Sequence, residues 1–393
     1  MRLGIGLISV GWMGRAHSRA YRNVGEHYPE LGVRPELVVA ADIAPASRHD
    51  ATELLGYREA VAGYRDVLAH PDVDAVSICA PNFLHRETAL AAAAAGKPFW
   101  IEKPMGRHLA ESEDIARAAA EAGLVTAVGF SYRHPPAIAR AREIIAAGRL
   151  GRITNVRVSF LADYSSSPDA PLTWRFTRDR AGSGVYGDLL SHGFDLAAYL
   201  VGPVREVTAA HDTFITERSE PAAPASAHPA TAAGQPEPAQ NPAPPGNLVP
   251  VENEDYAAVL ARFEGGALGV FESSRVAVGP RAEYVIDVYG TDGSLRWDFQ
   301  RMNELALAVR GSRDYGYATL YAQPGDGDFA RFQPSGGTPM GFDDLKTIEA
   351  ACFLRSVAEG VQHGPSVADG RAAAAIADAA ERSGRTREWT TVS

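Results

Sequence analysis

A glycine turn set between an apolar run and an alanine-rich one, within the first twenty residues, restricts this chain more than any other feature. Leu3 to Val10 reads as a buried strand, Gly11 and Gly14 as a tight turn, and the residues after Gly14 as a helix. That order opens a βαβ unit, whose helix N-terminus presents free amides to an anion. The G-x-G-x-x-G pattern is incomplete because Ser9 stands at its first glycine. The turn formed by Ser9, Gly11, Trp12, Met13 and Gly14 therefore points to a dinucleotide only through its context. Asp42 supplies that context at the end of a second strand, Leu37 to Ala41. An acid there accepts hydrogen bonds from the adenosine ribose and repels a 2′-phosphate, so the expected cofactor is NAD rather than NADP. The competing reading makes Ser9 to Gly14 a bare turn and Asp42 a helix cap before Pro45.

Further strands are read at Ala75 to Ala80, Phe99 to Ile101 and Leu124 to Phe130, with a helix from Glu87 to Ala95 ended by Gly96. Strands alternating with helices predict a doubly wound parallel sheet over residues 1–130, a Rossmann domain. From Ile153 the strands lengthen: Ile153 to Phe160, Tyr256 to Phe263, Leu268 to Ser273 and Tyr284 to Tyr289. Turn pairs at Gly265-Gly266 and Asp292-Gly293 suit antiparallel neighbours. Residues 131–393 are thus expected to form an α+β domain with a large, mostly antiparallel open sheet and helices such as Asp188 to Leu200 and Gly370 to Arg382. Residues 216–250 hold nine prolines among Ala, Glu, Gln and Ser, which predicts a flexible surface insertion.

With 393 residues the chain is long enough for two cores. A net charge of -10 disfavours nucleic acid and anionic membranes, both of which need a basic face. Apolar runs stop well short of the ~20 residues that span a bilayer, and the opening residues lack a signal-peptide pattern. The only cysteines, Cys79 and Cys352, read as buried packing residues in a reducing compartment. A cytoplasmic location is the expectation.

Glu102, Lys103 and Pro104 follow a buried strand, at the carboxyl edge where open α/β sheets bind ligands. Asp188 and His192 lie four apart near the start of a helix and so share a face. A carboxylate and an imidazole so placed can act together. The bland alternatives are a surface ion pair for the first group and, for the second, an N-cap with a half-buried helical histidine. No third ligand at telling spacing accompanies Asp188 and His192, so no metal is expected.

Taken together, these segments resemble the Gfo/Idh/MocA oxidoreductase family. The resemblance rests on Met13-Gly14 with His17, on Ala80-Pro81-Asn82 with His85, and on Ala94-Ala95-Gly96-Lys97-Pro98 leading into Glu102-Lys103-Pro104. It continues through Trp174-Arg175-Phe176, the Gly182-to-His192 segment with Asp195, Asp255-Tyr256 and Gly290-Thr291-Asp292-Gly293. Within the family the likeness is nearest to the levoglucosan dehydrogenase and pyranoside 3-dehydrogenase branch.

The resemblance implies hydride transfer between nicotinamide and a secondary hydroxyl of a sugar, anhydrosugar or cyclitol. By carry-over, Lys103, Asp188 and His192 are the catalytic set: His192 as acid/base, its unperturbed pKa of about 6.5 being near working pH, Lys103 on the reacting oxygen, and Asp188 on a neighbouring hydroxyl. Ala80, Asn82, His85 and Glu102 are expected beside Lys103 on the nicotinamide side of the cleft. Tyr132, Arg133, Tyr164, Trp174 and Arg175 are expected to face the substrate, each with packing as the alternative. Pairing through the open sheet face implies a homodimer or homotetramer. Two other activities stay open: a redox-assisted glycoside-cleaving or dehydrating enzyme that retains NAD, and a non-enzymatic NAD sensor.

Overall fold

The computed structural model describes residues 1–220, 247–313 and 315–393. Six parallel strands form the first sheet: β1 (Arg2–Ile8), β2 (Arg34–Ala41), β3 (Glu59–Val61), β4 (Ala75–Ile78), β5 (Phe99–Ile101) and β6 (Thr126–Val128), in the spatial order β3-β2-β1-β4-β5-β6. The order reverses at β1, opening a crevice beyond the carboxyl ends of β1 and β4. Both faces are covered, so the central strands are mostly apolar: Ala75, Val76 and Ile78 are fully buried, as are Ile5 and Leu7. The helix expected over Glu87 to Ala95 starts earlier and spans Asn82–Ala94, with Pro81 as its N-cap residue. The edge strand β3 escapes a sequence reading because three half-exposed residues carry no periodicity.

The second sheet has nine strands: β7 (Ile153–Leu161), β8 (Val204–Asp212), β11 (Tyr256–Phe263), β12 (Leu268–Ser274), β13 (Glu283–Gly290), β14 (Gly293–Asp298), β15 (Glu304–Val309), β16 (Ala318–Tyr321) and β17 (Thr390–Thr391). Their order is β16-β15-β14-β13-β7-β12-β11-β8-β17. All neighbours are antiparallel except β12 and β7 at its centre. One face packs on the helices Pro136–Ala146 and Ser191–Val201, burying Val156, Val158, Phe271, Ile286 and Trp297. Trp297 is enclosed with its indole N–H donating to the Met302 carbonyl at 3.0 Å. The opposite face is open and exposes Leu260, Leu268 and Val270.

The expected insertion at 216–250 is ordered at both ends, which is a correction: β9 (Glu217–Ser219) pairs antiparallel with β10 (Leu248–Pro250). Its middle, residues 221–246, lies outside the described residues. A two-stranded ribbon here was hidden by the proline-rich composition between its strands.

The chain's last two long helices return to the first sheet. Phe342–Glu359 lies along the Trp12–His27 helix, where Arg19 forks onto Asp343 at 2.8 and 3.0 Å. Val367–Thr386 starts at a capping box between Ser366 and Asp369 and packs on the Leu109–Glu121 helix and on β8. The segment between these helices covers the edge of β6: Val128 N–H donates to the Pro365 carbonyl, and the Gln362 amide binds both backbone groups of Thr126.

Candidate active site

The glycine turn sits at the carboxyl end of β1. Ser9 has φ 80°, a left-handed conformation that glycine adopts without strain, which explains why the usual pattern has glycine there. A Cβ on Gly14 would lie 2.2 Å from the Ser9 carbonyl oxygen, so only glycine lets the helix pack this tightly on the turn. The Trp12–His27 helix begins at Gly11 with no side chain capping it and no acid in its first turn. An uncapped, acid-free N-terminus of a long helix fits a pyrophosphate. Asp42, just after β2, accepts from Val10 N–H and Ala44 N–H, both at 2.9 Å, and so braces the turn. Trp12 is exposed at the mouth and stacks on Phe342 with ring centroids 5.7 Å apart.

Across the crevice, Lys103 Nζ donates to both the carbonyl (2.7 Å) and the carboxylate (3.1 Å) of Asp188, and the Tyr164 hydroxyl donates to the other carboxylate oxygen at 2.6 Å. Burial pushes the Asp188 pKa up, but Lys103, Arg175 and the Tyr164 hydroxyl outweigh it and hold the carboxyl well below its usual range. Asp188 lies in a widened, π-helical turn, Tyr186–Leu190, that leads directly into the α-helix carrying His192. The start of this turn is cradled by Glu254, whose carboxylate accepts from Gly184 N–H (2.8 Å) and Tyr186 N–H (3.1 Å). A Cβ on Gly184 would sit 2.0 Å from the Glu254 carbonyl oxygen, so the glycines before the helix serve close backbone approach.

His192 is buried edge-on against Tyr132, ring centroids 4.6 Å apart, and its Nδ1 has no partner among the described residues. Burial, with the nearby Lys103 charge next in weight, pushes its pKa well below the ordinary histidine value. The imidazole is therefore neutral at working pH and able to take a proton. The Tyr164 phenol stays protonated, since burial drives its pKa well above the usual value.

Behind this cleft lies a closed ionic cluster that sequence reasoning missed. Glu102 Oε1 accepts from His17 Nε2 at 2.9 Å and from Lys346 Nζ at 2.7 Å, and Lys346 also reaches Glu349 at 2.7 Å. All four side chains are buried. Burial pushes Glu102 up, but Lys346 and His17 outweigh it and keep it ionised, while burial raises Glu349 to about 7. A lysine and a glutamate three apart within the buried stretch Leu345 to Leu354 were the available signal for Lys346.

The remaining expected residues divide. Asn82 donates to the Ala181 carbonyl at 3.1 Å, bridging the crevice, and Trp174 rests edge-on near Phe83. Arg175 is exposed, lies over Trp174 and contributes its charge to Asp188. Tyr132 is buried and meets His192 through its ring. His85 and Ala80 sit beneath the crevice: the buried His85 ring nitrogens lie 2.9 Å from the Pro104 carbonyl and 2.7 Å from the Ala80 carbonyl, pinning two turns together. Glu102 likewise faces away from the opening. Arg133 is placed differently from the expectation, because its guanidinium binds Asp195 and Asp369, leaving it a structural clamp between helices. Among the described residues no group of three or more His, Cys, Asp or Glu is placed to hold a metal, and no helix is long and apolar enough to cross a membrane.

Two family models match in sequence order: an oxidoreductase family with an NAD-binding Rossmann fold over residues 3–130, and the GFO/IDH/MocA C-terminal domain over residues 138–296. The chain belongs to the Gfo/Idh/MocA oxidoreductase family. It is 35% identical to a levoglucosan dehydrogenase of Pseudarthrobacter phenanthrenivorans, covering 99% of this chain and 98% of the relative. A myo-inositol 2-dehydrogenase of Thermotoga maritima is 25% identical over 96% and 95% of the two chains. The solved structure of levoglucosan dehydrogenase with NADH and levoglucosan superposes with a TM-score of 0.91 at 34% identity, each chain covered completely. This family's members include dehydrogenases of sugars and inositols, and the Rossmann domain described above is its NAD-binding half.

Proposed function

We propose that this protein oxidises a secondary hydroxyl of a sugar, anhydrosugar or cyclitol with NAD, a pyranoside C3 hydroxyl being the favoured position. The observation that carries the reading is the chain from Tyr164 through Asp188 to Lys103, with the neutral, buried His192 one helical turn along. Bound at the uncapped N-terminus of the Trp12–His27 helix, with Asp42 towards the ribose, NAD supplies the hydride acceptor that no side chain can provide. The Asp42 carboxylate repels a 2′-phosphate, which favours NAD over NADP.

The protein's own residues do the rest. The Lys103 ammonium hydrogen-bonds the reacting oxygen and steadies the negative charge that grows on it. The proton of that hydroxyl passes to the imidazole of His192. Asp188, kept ionised, fixes Lys103 and accepts a neighbouring hydroxyl of the ring. Trp174 offers an apolar surface to the C–H face of a pyranose.

A panel of pyranosides, anhydrosugars and inositols, each offered with NAD and with NADP and followed by NADH or NADPH absorbance, tests this. Reduction of NAD by at least one of them is expected, with a rate plateau that extends on the acid side below pH 6.5 because His192 stays neutral there. Cleavage or dehydration of a glycoside without NADH accumulation would replace the reading with a NAD-retaining enzyme. The open sheet face, with Leu260, Leu268 and Val270 exposed, supports assembly as a homodimer or homotetramer; sedimentation of the purified protein decides between these and a monomer.

A further inference from the structure

Arg218 is among the largest fully buried side chains, yet it lies on the two-stranded ribbon β9–β10, well away from the catalytic residues in sequence. Its guanidinium donates to the Ser165 carbonyl at 2.6 Å, to the Ser167 carbonyl at 2.7 Å and to the Ala170 carbonyl at 3.3 Å. It also lies 4.3 Å over the Phe176 ring, on which Arg275 sits at 4.8 Å. The ribbon adds a backbone bond, Leu172 N–H to the Ser219 carbonyl at 2.8 Å. The loop gripped in this way runs from Tyr164, which holds Asp188, to Trp174 and Arg175. Residues 165–170 contribute no strand and no α-helix of their own, so their carbonyls need an outside donor.

We infer that Arg218 is a positioning residue for the sugar: one buried guanidinium gathers the loop carbonyls and sets how Tyr164, Trp174 and Arg175 face the substrate. The inference rests on the function proposed above. Five N–H donors in a rigid plane can serve three carbonyls and stack on Phe176 at once, whereas an ammonium, a single point with three donors, does not span the three carbonyls while lying flat on the ring. The cofactor turn lies on the other side of the crevice and makes no contact with this loop through Arg218.

The test compares Arg218→Lys and Arg218→Ala with the unmodified protein. Expected are a rise of at least about tenfold in the KM of an accepted sugar, a change of less than about threefold in kcat, and unchanged NADH affinity. Faster amide exchange across residues 164–176 is also expected. Added guanidinium ion should lower KM again in Arg218→Ala, and that rescue separates positioning from a general loss of packing. If Arg218→Ala fails to fold, Arg218→Lys and a Phe176→Leu variant carry the comparison, with the same rise in KM expected of both. Unchanged KM together with unchanged loop exchange overturns the inference. If no sugar is accepted, the proposed function fails, and the exchange measurement alone then decides whether Arg218 orders the loop.

Discussion

Glu102 and Lys103 leave the same strand end in opposite directions, and the protein treats the two charges differently. Strand alternation places Trp100 and Glu102 on one side of β5 and Ile101 and Lys103 on the other. On the first side the Trp100 ring stacks on His17 at 3.5 Å, and Glu102 is sealed between His17 and Lys346. On the second side Lys103 stays partly exposed, with Asp188 as its anionic partner among the described residues. A buried charge with every partner in place gives rigidity, and a half-exposed one beside a neutral histidine gives reactivity. The contrast shows how one dipeptide can anchor a turn and present a working group from it.

Removing the presented charge has the largest expected effect. Lys103→Ala should lower kcat about a thousandfold while NADH affinity and melting temperature stay nearly unchanged, as read by steady-state kinetics and fluorescence titration. Removing the sealed charge should reverse that pattern. Lys346→Met leaves the buried Glu102 beside a neutral His17 and without its cation, at a cost of about 3–5 kcal/mol in folding stability, measurable by urea denaturation, and Glu102→Gln in the same chain should recover part of it.

A third variation acts through pH. Burial lowers the His17 pKa from 6.5 to about 4. A depressed pKa means that the unfolded chain binds the proton more readily, so this stability is complete above pH 6.5 and is lost as pH falls through about 4. The loss is about 3 kcal/mol, and melting curves of His17→Gln across that range should show a flatter acid limb. The smallest expected effect is that of Tyr164→Phe: losing one hydrogen bond to a charged acceptor should lower kcat/KM about tenfold, without the stability change expected at Lys346.

Much of the first sheet was legible because each strand and helix there carries a local signal: an apolar run, an alanine-rich stretch, or a glycine stop. The parallel pairing of β12 with β7 carries none, since its register depends on residues more than a hundred positions apart. The site divides along the same line. Lys103, Asp188 and His192 stand out as motif residues, and the fold brings Lys103 and Asp188 into contact. Lys346, 244 residues from Glu102, looks like an ordinary helical lysine until the chain closes. Arg133 looked available for a substrate because Asp195 and Asp369, which claim it, lie far along the sequence.

The helix Phe342–Glu359 carries a consequence for how the protein is made. A ribosome delivers the strands of the Rossmann sheet first and this helix more than about two hundred residues later. Until it arrives, the side of the Trp12–His27 helix turned towards it is bare and Glu102 lacks Lys346 beside it. The nucleotide-binding half therefore completes its packing only once this helix has emerged, exposing apolar surface in the interval. A message truncated near residue 340 would yield every motif residue of the active site on a scaffold that lacks its last wall.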